Sequence, residues 1–197
     1  FVSDSTRFDA VVGNPTPERA FIHNYDIRLE LFPEPGEILA VSYFFKTISK
    51  PIEDEVDFVS YGTKTRSWFN SPSAENFGWE FEFRKTLRFL GRYFGNFSLG
   101  GNYTRILSRV DLQELVADGS GGNKTNEYSR PMQGQSPYLV NLTVLFTEPT
   151  LRTSVSLLYN RFGRRLDAVG VGSLSDIYEE PREVMDLAIP QPLPAGL

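Results

Sequence analysis

The chain has 197 residues, enough for one sizeable domain or for a segment of something larger, and its net charge of −5 argues against nucleic acid as a partner. It contains no cysteine, which excludes disulfides and thiolate metal sites. Aromatic residues make up 14% of the sequence, yet no stretch approaches the apolar length of about 18 residues that a transmembrane helix requires.

Alternation of apolar and polar residues predicts β-strands along most of the chain, because successive side chains of a strand point to opposite faces. In chain order, the predicted strands cover residues 24–31, 38–48, 77–87, 97–104, 138–146 and 152–160, and a seventh begins near Arg182. The clearest is 77–87, where one face is formed by Phe77, Trp79, Phe81, Phe83 and Leu87. No sustained 3.6-residue apolar pattern is present, so the sequence predicts an all-β fold.

The connections between the predicted strands alternate between short and long. The turns at 33–36, 88–96 and 147–151 are short, whereas the polar connections at roughly 49–76, 105–137 and 163–181 are long. Every long connection therefore leaves the sheet at the same end. Loops beyond about 12–15 residues are uncommon in compact soluble domains, but outer-membrane barrels pair short periplasmic turns with long extracellular loops.

Two groups of aromatic residues lie near opposite ends of the predicted strands. The group near the short turns contains Phe32, Phe89, Tyr93, Phe94, Phe97 and Phe146. The group near the long connections contains Phe45, Phe77, Trp79, Tyr103, Tyr138, Tyr159 and Phe162. Membrane–water interfaces select such belts, and each strand has room for the roughly 9–11 residues that cross a bilayer on a tilt.

Two surroundings fit a strand that is aromatic on one face and charged on the other. In a soluble β-sandwich or small barrel that binds a ligand or partner, Trp79, Phe81 and Phe83 would be buried beneath a second layer. In an outer-membrane barrel, the same side chains face lipid and the charged ones face a water-filled bore. The one-sided long connections favour the second. We therefore predict antiparallel up-and-down strands from a transmembrane outer-membrane β-barrel, with about seven strands present.

Several segments, in their order and spacing, resemble the carboxy-terminal barrel of TonB-dependent outer-membrane receptors. These are Asn-Pro-Thr-Pro-Glu at 14–18, Tyr-Asp-Ile-Arg-Leu-Glu at 25–30, Gly-Trp-Glu-Phe-Glu-Phe-Arg-Lys at 78–85, Gly-Asn-Tyr-Thr at 101–104, Gln-Gly-Gln-Ser-Pro-Tyr at 133–138 and Leu-Tyr-Asn-Arg-Phe-Gly-Arg-Arg at 158–165. The similarity covers nearly the whole length. It implies a barrel on the order of 22 strands with a plugged lumen.

The resemblance also implies a function and partners. Such a receptor lies in the bacterial cell outer membrane, in contact with its lipid, and imports a scarce nutrient such as siderophore-iron, vitamin B12 or an oligosaccharide. Long extracellular loops capture the small-molecule ligand, and the TonB system supplies energy through the plug. Residues 1–197 form a single region of the barrel, and the plug domain and closing strands are absent from it. Open sheet edges would invite an oligomer or a larger assembly.

Two sets of residues are candidates for a functional site. Side chains that should face the lumen are Asp26, Arg28, Glu30, Glu80, Glu82 and Arg84. They either contact the plug or a polar solute, or form a hydrated wall whose charges pair with one another. Candidates for ligand capture in the long connection 49–76 are Tyr61, Arg66, Trp68 and Phe69, with an ordinary solvated loop as the alternative.

Nothing in the sequence predicts an enzyme. His23 is the only histidine, so a metal cluster or catalytic dyad built from two histidines is excluded. No nucleophile, base and orienting group can be assembled from the motifs. We therefore predict a protein without catalytic residues, metal or cofactor.

Overall fold

The structure is a computed structural model that describes residues 10–59, 63–117, 123–148, 150, 153–171 and 174–190. In chain order its strands are β1 (Ala10–Val11), β2 (Phe21–Leu31), β3 (Ile38–Ser49), β4 (Ile52–Val59), β5 (Thr63–Asn70), β6 (Ser73–Thr86), β7 (Phe97–Ala117), β8 (Asn123–Arg130), β9 (Tyr138–Glu148), β10 (Thr153–Phe162), β11 (Arg165–Gly170), β12 (Ile177–Glu179) and β13 (Arg182–Ala188). Within these ranges, no helix has the length and apolar character needed to cross a membrane.

Seven strands form an antiparallel meander in the order β13-β10-β9-β7-β6-β3-β2. They are the seven strands predicted from the alternation of apolar and polar residues, and every neighbouring pair is antiparallel. In the described part of the chain the outer strands β2 and β13 do not pair with each other, so the meander is an open sheet. The predicted all-β, up-and-down architecture is confirmed.

The long connections carry further strands, which the sequence pattern did not reveal. Strands β4 and β5 form a hairpin after β3, strands β11 and β12 form another after β10, and β8 pairs with the far end of β7. Strand β4 also pairs in parallel with β11, where Glu55 lies opposite Val169. This pairing unites the two hairpins in a second sheet with the order β1-β5-β4-β11-β12.

The strand register places the apolar residues of the meander on one face. Tyr43 lies opposite Trp79, Phe81 opposite Tyr103, and Leu142 opposite Tyr159. Trp79 is 60% exposed and Phe81 is 41% exposed, so no second layer of described residues covers them. The burial expected for a soluble sandwich is therefore not observed. A broad apolar surface faces outwards, as lipid contact requires.

The core lies beyond this surface, at the end of the meander that carries the long connections. Ile48, Ala74, Val110 and Leu112 are buried together, and Met132 packs against them. These residues belong to the ends of β3, β6 and β7 and to the segment after β8. Burial of apolar side chains therefore stabilises the region where the outer hairpins meet the meander, whereas the wall itself leaves its apolar face exposed.

At the opposite end, a buried carboxylate joins the first short turn to β6. Glu37 is 2% exposed. It accepts hydrogen bonds from the Lys85 ammonium at 2.6 Å, the Thr86 hydroxyl at 2.6 Å and the Thr86 amide at 3.1 Å. The hydrogen bond from Lys85, followed by that from the Thr86 hydroxyl, holds the pKa of the Glu37 carboxyl below its ordinary value near 4.5.

This lowered pKa predicts that acid weakens the short-turn end. The folded state holds Glu37 ionised, so its contribution to stability is complete above the unfolded pKa and is lost as the pH falls through the lower, folded pKa. Glu37→Gln should therefore be less stable than the wild type at pH 7, and the difference in free energy of unfolding should shrink below about pH 4.5. Denaturation of both proteins across this pH range measures it. A difference that stays constant down to pH 2 would contradict the assignment.

Candidate functional site

The candidate site is the polar face of the meander, opposite the apolar face described above. The predicted lumen-facing residues all lie on it: Asp26, Arg28 and Glu30 on β2, and Glu80, Glu82 and Arg84 on β6. The register explains this placement, because Arg28 lies opposite Ser42 of β3 and Ser42 lies opposite Glu80. Charged groups separated by more than 50 positions in sequence therefore share one surface.

Arg28 joins three strands across this face. Its guanidinium donates to Glu82 of β6 at 2.7 Å, to Ser42 of β3 at 3.2 Å and to Glu30 on its own strand at 2.5 Å. Two carboxylates around one arginine leave this group with a negative charge. The remaining predicted residues lie nearby on the same face but outside this group: Asp26 accepts a hydrogen bond from Asn24, and Glu80 and Arg84 flank Glu82.

A ladder of amides continues the polar face towards the other edge. The Asn160 side chain donates to Asn141 at 2.5 Å, and Asn141 donates in turn to Asn102 at 2.6 Å. These residues occupy successive strands β10, β9 and β7 and lie directly opposite one another. The sequence interpretation missed the ladder. Its only local signal is an asparagine at a polar position of each strand, and the register is needed to align the three.

A cavity of about 280 Å³ lies between the charged group and the amide ladder. Glu82 and Arg84 line one side, and Asn102 and Asn141 line the other. Gly100 contributes to its floor, where an added Cβ would meet no atom closer than 3.6 Å. The polar face therefore offers charged groups and amides around an open recess, which suits contact with water, a polar solute or a polar protein segment.

The candidates for ligand capture do not form one cluster in the described structure. Arg66, Trp68 and Phe69 all lie on β5, and alternation along this strand puts Phe69 on the face opposite the other two. The Arg66 guanidinium is hydrogen-bonded to Asp54 of β4, and the Trp68 carbonyl accepts a hydrogen bond from Asn14 at 3.0 Å. The fourth candidate, Tyr61, lies outside the described residues.

A buried ion pair fixes the outer hairpins to the meander. Arg130, at the end of β8, donates to both carboxylate oxygens of Glu53 on β4, at 2.9 Å each. The Glu53 side chain is 1% exposed. It also accepts hydrogen bonds from the Ser71 hydroxyl and, at 3.2 Å, from the backbone amide of Gln133. The sequence predicts a long polar connection at 49–76, with an ordinary solvated loop as one alternative. The structure has strand β4 there instead, and this strand turns Glu53 inwards against Arg130.

Gln133 extends this connection to the last hairpin. Its side-chain oxygen accepts a hydrogen bond from the Asp54 amide at 2.5 Å, and its side-chain nitrogen donates to the carbonyl of Asp167 on β11. Close by on β4, burial and then the neighbouring Asp57 raise the pKa of the Glu55 carboxyl. The outer sheet is therefore held to the segment that follows β8 by polar side-chain contacts and by the hydrogen bond from the Gly134 amide to the Leu166 carbonyl at 2.7 Å.

Solved structures of two siderophore receptors and an iron transporter share this fold. The chain aligns with a variant of the ferric enterobactin receptor PfeA from Pseudomonas aeruginosa in complex with enterobactin, with a TM-score of 0.56 and 16% sequence identity over 94% of this chain and 26% of that chain. It aligns with the FrpB iron transporter from Neisseria meningitidis with a TM-score of 0.51 and 10% identity over 90% and 25% of the two chains. The siderophore receptor PirA from Acinetobacter baumannii gives a TM-score of 0.51 and 14% identity over 91% and 26%.

These alignments establish the fold of the chain as that of an outer-membrane receptor barrel. The chain spans about a quarter of the length of the solved receptors that it matches. No family model matches its sequence, and neither does any curated protein. The resemblance to the barrel of TonB-dependent receptors, drawn from short motifs, is thus confirmed at the level of the fold.

Proposed function

We propose that this chain is part of the barrel wall of a TonB-dependent outer-membrane receptor that takes up a scarce nutrient. The observation that carries the proposal is the division of the meander into two faces. One face exposes aromatic and aliphatic side chains such as Trp79 and Leu29, which is 73% exposed. The other carries the ion pair of Arg28 with Glu82 and the amide ladder. Lipid outside and water inside account for both faces.

In this proposal the polar face lines the bore, and Asp26, Arg28, Glu30, Glu80, Glu82 and Arg84 meet either the plug or the passing solute. Arg28 already forms salt bridges with Glu30 and Glu82, so part of this charge stabilises the sheet itself. The open recess beside Arg84 and Asn141 is the part of the face with room for a foreign polar group. We therefore assign contact with the plug or the passing solute to this recess.

The outer hairpins are the proposed place of ligand capture. They extend beyond the meander at the end where all long connections leave it, and the buried pair of Glu53 and Arg130 holds them in place. Arg66 and Trp68 share one face of β5 and supply a guanidinium and an aromatic ring there, and the proposal retains Tyr61 and Phe69 as further contacts. The similar solved structures are a ferric enterobactin receptor, an iron transporter and a siderophore receptor, which favours an iron chelate over vitamin B12 or an oligosaccharide.

We assign the other parts of the transporter to further regions of a longer chain. Residues 1–197 supply one region of the wall, while further strands close the barrel and a plug engages the energy-transducing TonB system. Strands β2 and β13 have free edges in the described sheet, and these are the edges at which the neighbouring barrel strands would pair. Neither an enzyme activity nor a cofactor belongs to this proposal.

The experiment uses the complete receptor gene that encodes this chain. The proposal expects the protein in the outer-membrane fraction, a faster gel mobility before boiling than after it, and loss of growth on a ferric chelate when the gene is deleted. A protein that remains in the aqueous phase and migrates identically before and after boiling would instead support the soluble binding module. Outer-membrane insertion without any growth defect on ferric chelates would retain the barrel and overturn the choice of iron.

A further inference from the structure

The connection between β6 and β7 presents an unusually exposed group of aromatic and basic residues. It consists of two 3₁₀ turns, Leu87–Leu90 and Arg92–Asn96, joined at Gly91. Tyr93 is 91% exposed, Phe89 is 68% exposed and Leu90 is 56% exposed. We call this group, which comprises Arg88, Phe89, Leu90, Arg92, Tyr93 and Phe94, the short-turn platform.

The backbone of the platform is well defined. The amide of Gly91 donates to the carbonyl of Arg88 at 3.0 Å, and the amide of Phe94 donates to the carbonyl of Gly91 at 3.0 Å. Gly91 has a φ of 128°, a conformation that side-chain-bearing residues rarely adopt, so glycine permits the change of direction between the two turns. The exposed side chains are therefore presented by a fixed turn.

Two arginines of the platform face the same open recess. Arg88 and Arg92 line a cavity of about 810 Å³ together with Tyr93, Gly95 and Asn96. The side chain of Arg88 passes over Gly95, within 3.9 Å of the position that a Cβ would occupy. In the part of the chain that the structure describes, neither guanidinium forms an ion pair. The recess thus combines two positive charges with an aromatic hydroxyl and an amide.

The acidic residues beside this recess do not neutralise it. Glu34 and Glu37 line an adjoining cavity with Arg88. The carboxylate of Glu37 is already bound by Lys85 and Thr86, which leaves Glu34 as the remaining acidic group of that cavity. Glu34 shares that cavity with Arg88 but not with Arg92, and no acidic residue among those described lines the recess that the two arginines share, so the recess keeps a net attraction for an anion.

The platform lies where the apolar face of the meander ends. Phe94 packs against Phe97 with a ring separation of 6.3 Å, and Phe97 packs against Phe146 of β9 at 4.7 Å. If the proposed function holds, on which this step rests, these rings mark the membrane boundary at the short-turn end. Aromatic side chains that are apolar at one end and wet at the other favour such a boundary.

We propose that the short-turn platform binds the headgroup of an anionic phospholipid in the leaflet that meets the short turns. The guanidinium groups of Arg88 and Arg92 hold the phosphate, since a guanidinium fork matches its oxygens. Phe89 and Tyr93 lie against the acyl chains and glycerol of the same lipid. A free phosphate ion would use the two arginines but would leave these exposed rings without a partner.

The test measures lipid binding to the complete, detergent-solubilised receptor by native mass spectrometry. Phosphatidylglycerol and phosphatidylcholine are titrated separately into the wild type and into Arg88→Gln/Arg92→Gln. The wild type should bind phosphatidylglycerol about tenfold more tightly than phosphatidylcholine, and the variant should lose most of this preference. Arg109→Gln/Arg164→Gln removes the same charge near the long connections, where both arginines have acidic partners, and should keep the preference.

The other outcomes decide the proposal as well. Equal binding of both lipids by the wild type, or an equal loss in the two double variants, overturns it. If glycerol phosphate competes for the site as well as intact phosphatidylglycerol does, the ligand is a soluble anion and not a lipid, which also overturns the proposal. Phe89→Ser/Tyr93→Ser should weaken binding of both lipids. If the gel mobility changes on boiling but phosphatidylglycerol is not preferred over phosphatidylcholine, only the lipid site is refuted. If the gel mobility does not change on boiling, the assignment of the protein to the membrane is refuted.

Discussion

Arg130→Ala is expected to destabilise the outer sheet by about 3–5 kcal/mol, because it leaves a buried carboxylate without its counter-charge. The Glu53 side chain is 1% exposed and that of Arg130 is 10% exposed, so water cannot easily replace the guanidinium. Ser71 and Gln133 would still donate to the carboxylate, but neither carries a charge. The energy of local opening should fall in β4 and β5, which hydrogen–deuterium exchange of their amides measures.

Two further variants separate the buried pair from ordinary surface charge. Arg109→Ala breaks an exposed pair with Asp111, whose side chain is 49% exposed, and should change the same exchange by no more than about 1 kcal/mol. Glu53→Gln/Arg130→Met removes both buried charges, and the new side-chain amide can accept from the Gln133 backbone amide through its oxygen and donate to the Ser71 hydroxyl through its nitrogen, so it should recover much of the loss. If amide hydrogen–deuterium exchange in β4 is the same in Arg130→Ala as in Arg109→Ala, the pair of Glu53 and Arg130 does not stabilise the outer sheet.

The meander could be predicted from the sequence because its two faces differ in polarity. Apolar side chains on one face and polar side chains on the other give a period of two, which residues 77–87 display directly. The face on which each side chain lies followed as well, since a shift by one residue would turn Trp79 and Phe81 towards the polar face. The residue-by-residue pairing of neighbouring strands did not follow, and for that reason the amide ladder was missed. The strand positions, the seven-strand count and the one-sided long connections were therefore accessible from local pattern alone.

The outer sheet could not be predicted in the same way. Strand β4 contains four acidic residues among eight, and such a composition is typical of a solvated loop. Burial of Glu53 depends on Arg130, which is 77 positions away, and the amide ladder brings Asn102 to Asn141 across 39 positions. Such contacts follow from the tertiary pairing of hairpins, which no local window contains. Because strand β5 was not recognised in the sequence, Arg66 and Phe69 were expected on one loop surface. Alternation along β5 puts them on opposite faces.

Leu142→Arg should separate a lipid-facing wall from every alternative. Leu142 lies on β9 midway between the aromatic residues Tyr138 and Phe146, and it is 39% exposed on the apolar face. An arginine at the midplane of a bilayer costs about 2–4 kcal/mol in a barrel strand. We therefore expect the protein to lose this much folding free energy when it is refolded into phosphatidylcholine vesicles and titrated with guanidinium chloride.

The matched control is the next residue of the same strand. Thr143 points to the polar face and lines the recess beside Asn141, so an arginine there meets water, with Glu82 and Arg84 as the charged groups of the same recess. Thr143→Arg should change the folding free energy by no more than about 1 kcal/mol. In a water-exposed sheet neither arginine would carry a penalty, and in a sandwich core the loss at Leu142 would not depend on lipid. Only a membrane wall predicts a large loss at Leu142 that depends on lipid together with a small loss at Thr143, since the two introduced arginines are adjacent in sequence and lie on opposite faces of the sheet.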